Sequence, residues 1–158
     1  MTATGWTGTL LSIHITPAKS RPMQALDAAR LVAGQGIEGD RYLLGTGTYS
    51  IKPGEDRQIT LIEAEMLARV AADDGHGIAP VEHRRNLTVE GVPLMHLVGL
   101  RFRVGECVLE GVRINQPCKY LNLMLKRDVY MALWNRSGLN AKIVEGGTIR
   151  PGDTVVAL

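Results

Sequence analysis

The sequence is short of most of the parts from which familiar sites are built. It has two cysteines, Cys107 and Cys118, in 158 residues, too few for a disulfide framework or a cysteine-rich zinc site. Its four histidines, His14, His76, His83 and His96, share no His-x-His or His-x-x-x-His spacing, which argues against a histidine-based zinc or iron centre. One phenylalanine, two tryptophans and four tyrosines, spread along the chain, leave little on which bases could stack, so no nucleic-acid partner is expected. No apolar run approaches the roughly 20 residues of a membrane-spanning helix, and the segment VPLMHLVGL is broken by His96. The opening MTATGWTGTLLSIHI has no basic segment leading into an apolar one, so no signal peptide is read there. The expectation is a cytoplasmic protein with no membrane partner and with free thiols. No nucleophile elbow of a serine hydrolase occurs either.

What the chain does have is an ordinary globular balance. With 45% apolar and 22% charged residues, it can bury a core without staples, and its length fits one domain over residues 1–158. The net charge of +2 says little about partners, but its distribution says more. Arg113, Lys119, Lys126 and Arg127 precede the next acid, Asp128; Arg84 and Arg85 are adjacent; Lys19 and Arg21 form a third cluster. Small basic clusters in separate segments suit a compact anion such as a phosphate group better than a long polyanion.

Short elements punctuated by glycine dominate the pattern. GTLLSIHIT alternates and reads as a strand ending at Pro17, and QALDAARLVAG fits a strand and turn or a short helix, of which the strand is preferred. From Gly34 to Arg57 the chain is glycine-rich, polar and without clear periodicity, as functional loops often are. A helix is expected from Thr60, with Thr60 and Glu63 as a capping box and Ile62, Met66 and Val70 as its stripe, stopping at Gly75. Strands return in NLTVEGV, LRFRVG and CVLEGVRI, the last two joined by a hairpin turn; a second helix follows Cys118; and LNAKIVEGGTIRPGDTVVAL closes the chain with strands. The fold class this predicts is mostly β, a barrel or twisted sheet carrying two or three helices.

Cys107, in GECVLEG, reads as a buried and inert strand residue. Cys118 follows Pro117, which suits a first helical turn, and Lys119 and nearby arginines surround it. Such company favours a thiolate, yet structural cysteines have similar neighbours, so local chemistry leaves both readings open. In GIEGDRY (Gly36 to Tyr42), Arg41 could grip a phosphate or pterin edge, though a tight loop with a surface ion pair is the reading its neighbours favour; the segment itself fits neither G-x-G-x-x-G nor a P-loop. RRNLTVEG offers two arginines and Asn86 at a strand mouth, suited to an anionic or heteroaromatic ligand or simply to solvent.

Taken in order, SIHITPAKS, GIEGDRY, RRNLTVEGV, GLRFRVGECVLEG, PCKYL and GGTIRPGDTV resemble the MOSC domain, the C-terminal domain of molybdenum cofactor sulfurases that also occurs as stand-alone bacterial proteins. The resemblance implies a predominantly β, barrel-like domain and a hallmark cysteine at Cys118, whose thiolate ligates the metal in members carrying a pyranopterin molybdenum cofactor. It also implies cofactor contacts from Lys19 and Ser20, where the pterin phosphate is held, from Arg41, and from Arg84 and Asn86 in an Arg-x-Asn pattern. Two activities follow as expectations. One is reduction of N-hydroxylated or N-oxide compounds, with an external electron donor because no flavin or iron–sulfur motif is present. The other is a sulfur carrier, loaded with a persulfide on Cys118 by a pyridoxal-phosphate-dependent cysteine desulfurase.

Overall fold

The computed structural model describes residues 5–48 and 54–158. Residues 49–53, part of the glycine-rich stretch singled out above, lie outside the described residues. Alternation in TGTLLSIHI builds the first strand, β1 (Thr7–Ile15), which buries Leu10, Ile13 and Ile15 in the main core. A register shift between Leu10 and Ser12, opposite a later strand, explains why the inward positions skip a step. Then come β2 (Gln24–Leu26), β3 (Ala29–Val32), β4 (Gly36–Ile37), α1 (Arg41–Leu44), β5 (Ile59–Glu63), α2 (Ala64–Asp74) and β6 (Leu87–Glu90). A short 3-10 turn over Leu94–His96 leads to β7 (Arg101–Val104), β8 (Cys107–Ile114), α3 (Lys119–Leu125), β9 (Leu139–Glu145), β10 (Gly147–Ile149) and β11 (Thr154–Ala157).

Seven of these strands close on themselves in the order β11, β7, β8, β9, β5, β6, β1, with β1 returning to β11 through Thr7 and Val156. Closure leaves the barrel wall without a free edge. Strand β2 extends from β1, and β10, β3 and β4 form a small separate sheet. The expected mostly-β barrel with a few helices is therefore the observed fold. All barrel pairs are antiparallel except β5 with β6, which is parallel; a parallel pair needs a crossover, and α2 supplies it.

Two expectations change. Thr60 does not cap a helix: Ile59 to Glu63 is a strand in which all five residues are buried, and α2 begins at Ala64. The Thr60 hydroxyl is instead committed to Asn86, donating to its Oδ1 at 3.1 Å and accepting from its backbone N–H at 3.0 Å. Ile59 and Leu61 fill the barrel while Ile62 faces a second cluster outside it, so tertiary burial on both faces overrides the local helical signal. The predicted stop holds, with Gly75 in the left-handed region at φ 76°. Secondly, the stretch from Gly34 is not all loop, since β4 and α1 lie within it. Extended back to Gly34, it does carry G-x-G-x-x-G spacing, but on the antiparallel pair β3–β4 and not on the strand–helix–strand unit a dinucleotide fingerprint requires.

The second cluster fixes what surrounds Cys118. Ile62 from the outer face of β5, Leu67 and Val70 from α2, Leu121 from α3, and Val129 and Leu133 pack together. Buried apolar side chains of this kind each contribute about 1.5–3 kcal/mol, enough to hold a seven-residue helix that would not persist alone.

Candidate functional site

Strand β8 ends at Ile114, and the Asn115 N–H then donates to the Gly138 carbonyl at 2.8 Å. Gly138 is required there: at φ 92°, a Cβ would sit 1.8 Å from the Leu61 carbonyl oxygen. The chain passes Pro117, and Cys118 becomes the N-cap of α3 with an extended backbone (φ −130°, ψ 153°). Its side chain makes no capping hydrogen bond and is half-buried, whereas Cys107 is fully buried; both thiols are free. This is the local arrangement the sequence predicts for the two cysteines.

Cys118 lines a cavity of about 290 Å³ whose wall carries five arginines, Arg41, Arg57, Arg84, Arg85 and Arg113, and no Asp or Glu among the described residues. The five come from four places in the fold, with Arg84 and Arg85 sharing one turn. Arg41 is the first residue of α1, which Asp40 caps through the Tyr42 N–H at 3.3 Å. The Arg41 guanidinium reaches Asp40 Oδ1 at 3.3 Å, donates to the Arg84 carbonyl at 3.0 Å, and lies 4.6 Å from the centroid of the Tyr42 ring. Burial raises the Asp40 carboxyl above its usual value, with Arg41 and three backbone donors acting the other way. Arg113 pairs with Asp56 at 2.7 Å, a contact that pulls the Asp56 carboxyl below its usual value.

The 83–85 turn is built around a neutral histidine. His83 Nδ1 accepts from the Arg85 N–H at 2.9 Å, so the proton sits on Nε2, 3.0 Å from the Thr88 hydroxyl. Burial, then repulsion from Arg85 and His14, holds His83 well below its usual pKa. Arg85 is spent on structure: it donates to the Ser137 carbonyl at 3.1 Å, to the His83 carbonyl at 2.7 Å, to Asn115 Oδ1 at 3.2 Å and to the Ser137 hydroxyl. Arg84 is different. It takes a left-handed backbone (φ 64°), is 9% exposed, and donates to the Arg21 carbonyl at 2.8 Å. No carboxylate lies within ion-pair distance of it among the described residues. Burial, then the Arg41 charge, pulls its pKa below the ordinary value, yet an arginine stays charged near neutral pH. A buried cation without a counter-charge is costly, and an anion in the cavity removes that cost.

The structure thus brings Cys118, Arg41 and Arg84 to one wall and leaves three other predicted residues off it. Asn86 is fully buried and acts as a clasp: its Nδ2 donates to the His14 carbonyl at 3.1 Å and its Oδ1 accepts from the Thr60 N–H and hydroxyl. Ser20 is exposed and bonds the hydroxyl of Tyr120, which does line the cavity. Lys19 is exposed in the loop after β1. Arg57, Asn115, Tyr120 and Asn140 were not singled out as site residues. Asn115 could have been suspected, three residues before Cys118, and Arg57 ends the glycine-rich stretch noted above, but Asn140 carries no local signal, since the pairing of β9 with β5 brings it there.

No group of three or more His, Cys, Asp or Glu side chains placed to hold a metal occurs among the described residues. No helix among them is long and apolar enough to cross a membrane.

The family model described as MOSC domain matches residues 48–156, which include Arg84, Asn86 and Cys118 but not Lys19, Ser20 or Arg41. Among curated proteins no sequence match is found. Among solved structures, the YUAD protein from Bacillus subtilis is similar with a TM-score of 0.80 and 21% identity, over 96% of this chain and 97% of that one. YiiM from Geobacillus stearothermophilus gives 0.74 and 17%, over 96% of this chain and 75% of that one. YiiM from Escherichia coli gives 0.69 and 19%, over 95% and 69%. At such identities the likeness is one of fold.

Proposed function

The chain belongs to the MOSC domain family, and on that premise we propose that its arginine-lined cavity holds a pyranopterin molybdenum cofactor, with the Cys118 thiolate as the metal's protein ligand. The observation that carries the reading is the pairing of an uncommitted thiol with a buried, unpaired arginine on one acid-free wall among the described residues. The donor set fits. A thiolate is a soft ligand suited to such a metal. With no second metal ligand beside it among the described residues, Cys118 suits a metal that arrives already coordinated within a cofactor, not one caged by side chains. Arg84 and Arg41 hold the anionic phosphate, a task for which a planar guanidinium is built.

Bound there, the cofactor supplies a centre that exchanges two electrons with a substrate. The chain's part is to ligate it, to neutralise its phosphate and to orient it against the wall. The reaction we assign is reductive: an N-hydroxylated compound or N-oxide takes up two electrons and two protons, giving the amine and water. The electrons come from an external donor.

The test is molybdenum and pterin content of protein purified anaerobically from a cofactor-competent host, beside Cys118→Ala. Near-stoichiometric molybdenum in the first, reduced to background in a folded variant, is the expected result. Molybdenum retained in both removes Cys118 as ligand; molybdenum in neither removes the molybdoenzyme reading.

A second reading is favoured by a specific feature, the isolation of Cys118 from a fully buried Cys107. A persulfide on Cys118 would not be discharged by an internal disulfide. A cysteine desulfurase would transfer its sulfane sulfur to Cys118 Sγ and leave as the thiolate. Intact mass after incubation with desulfurase and cysteine reads this directly, as a reducible gain of one sulfur that Cys118→Ala lacks.

A further inference from the structure

Among the described residues lining the cavity, Asn140 alone has a buried side-chain atom with no hydrogen-bond partner, its Oδ1. It stands in β9, opposite Thr60 of β5 and Arg113 of β8, and is 4% exposed. Its Nδ2 donates to the Asp56 carbonyl at 2.7 Å. That contact tells the amide nitrogen from its oxygen, because the flipped assignment would set two oxygens face to face. The charged side chains of the cavity wall, among the described residues, are guanidiniums, which only donate. Two other acceptors on the wall are already engaged: Asn115 Oδ1 receives Arg85, and the Thr60 hydroxyl receives the Asn86 N–H. A buried acceptor left unpaired calls for an explanation in a folded protein, and here a ligand supplies one.

We infer that Asn140 is a ligand-reading residue: its Oδ1 accepts a hydrogen bond from an N–H or O–H group of an anionic ligand whose charge the arginines hold. The oxygen is shielded as the side chain stands, so the donor meets it after a small turn of the Asn140 torsions. Anions without a donor satisfy the arginines and leave this oxygen unpaired, which makes Asn140 a filter between the two kinds. Naming the source of the donor rests on the proposed function: it is either the amino-pyrimidinone edge of the pterin or the N–OH of the substrate.

Calorimetric titration of the full chain, from a host that makes no pterin cofactor, separates these. The probes are pterin-6-carboxylate, 4-(hydroxycarbamoyl)benzoate, which joins a carboxylate to an N–OH, and benzoate, which has no donor. Wild type should bind at least one donor-bearing probe roughly tenfold tighter than benzoate, and the probe preferred identifies the source. Asn140→Asp, which keeps an acceptor, should preserve that ratio within about threefold, and Asn140→Ala should lose it. Both variants lose the bond to the Asp56 carbonyl, and Asn140→Asp also adds a negative charge that weakens all three anions alike, so the ratio between probes is compared and not the affinity. Equal binding of all three probes, no binding of any, or equal loss of the ratio in both variants overturns the inference. If Asn140→Ala does not fold, the ranking of probes on wild type decides alone. Molybdenum content is read separately. A wild type that discriminates the probes but carries no molybdenum sinks the cofactor reading only, and one that carries molybdenum without discriminating sinks the role of Asn140 only.

Discussion

Cys107 and Cys118 stand at the two ends of the same stretch of chain, one opening β8 and the other following its end, and their surroundings are opposite in kind. Cys107 packs in the barrel core with Phe102, Val104 and Leu109. Burial, then the Glu106 and Asp153 carboxylates, pushes its thiol up to about 11. Cys118 sits where β8 has left the barrel, half-buried on a wall that carries arginines from β8 and from three other segments. Two residues of one type thus meet opposite surroundings, set by what the strand's two ends are packed against. The barrel interior suppresses charge on the Cys107 sulfur, whereas Cys118 stands on an arginine-lined wall.

Alkylation is the strongest way to break that comparison. At pH 8 a thiol with a pKa near 11 is only about one part in a thousand thiolate, and Cys107 is also out of reach of solvent. Iodoacetamide should therefore give one adduct per folded chain, on Cys118, with Cys107 labelled only in denaturant. Peptide mass mapping checks it, and two adducts in the native protein would abolish the contrast.

Arg84 and Arg85 sharpen it from the side of the cations. They are adjacent and equally buried, but Arg85 is consumed by Ser137, His83 and Asn115 while Arg84 has one carbonyl partner. Arg85→Ala strands several buried acceptors and should cost about 3 kcal/mol in urea unfolding. Arg84→Ala should cost about 1 kcal/mol yet weaken binding of pterin-6-carboxylate roughly tenfold or more. The reverse ranking in both measurements would mean that Arg84 is the structural arginine.

How much of this was readable in the chain depends on the range of the interaction involved. Strand β1, the Gly105–Glu106 hairpin turn and the helix after Cys118 follow from neighbours within a few residues, and each was predicted. Thr60 misled because a capping box and a strand with both faces buried share the same local residues; Asn86, 26 residues away, decided between them. The site shows the same division. Cys118, Arg41 and Arg84 could be proposed from their own segments, and the structure brings them to one wall. Asn140 could not, since its place there depends on strand pairing and not on its neighbours in sequence. Asn86 was expected at the ligand because it follows two arginines, but its amide is satisfied by β1 and β5.

Glu63 extends the comparison from sulfur to a carboxyl, with a smaller effect. It ends β5, three residues beyond the cavity residue Thr60, and is 9% exposed. Burial, then the Glu65 charge, raises its pKa from 4.5 to about 7. A carboxyl whose folded pKa lies above the unfolded value binds its proton more tightly in the folded state. The resulting stability is full below pH 4.5 and is lost as pH rises through about 7. Glu63→Gln removes the ionisation and keeps the shape. At pH 8 the variant should be more stable than wild type by about 1–2 kcal/mol. The buried histidines His14 and His83, both shifted down, contribute the opposite slope below pH 6.5 in both proteins, so the difference between the two unfolding curves isolates Glu63. That difference should grow between pH 4.5 and 7 and then level off. A difference that stays flat across that range would mean that the wall around Glu63 admits water, and that this side of the barrel tolerates charge as the cavity does.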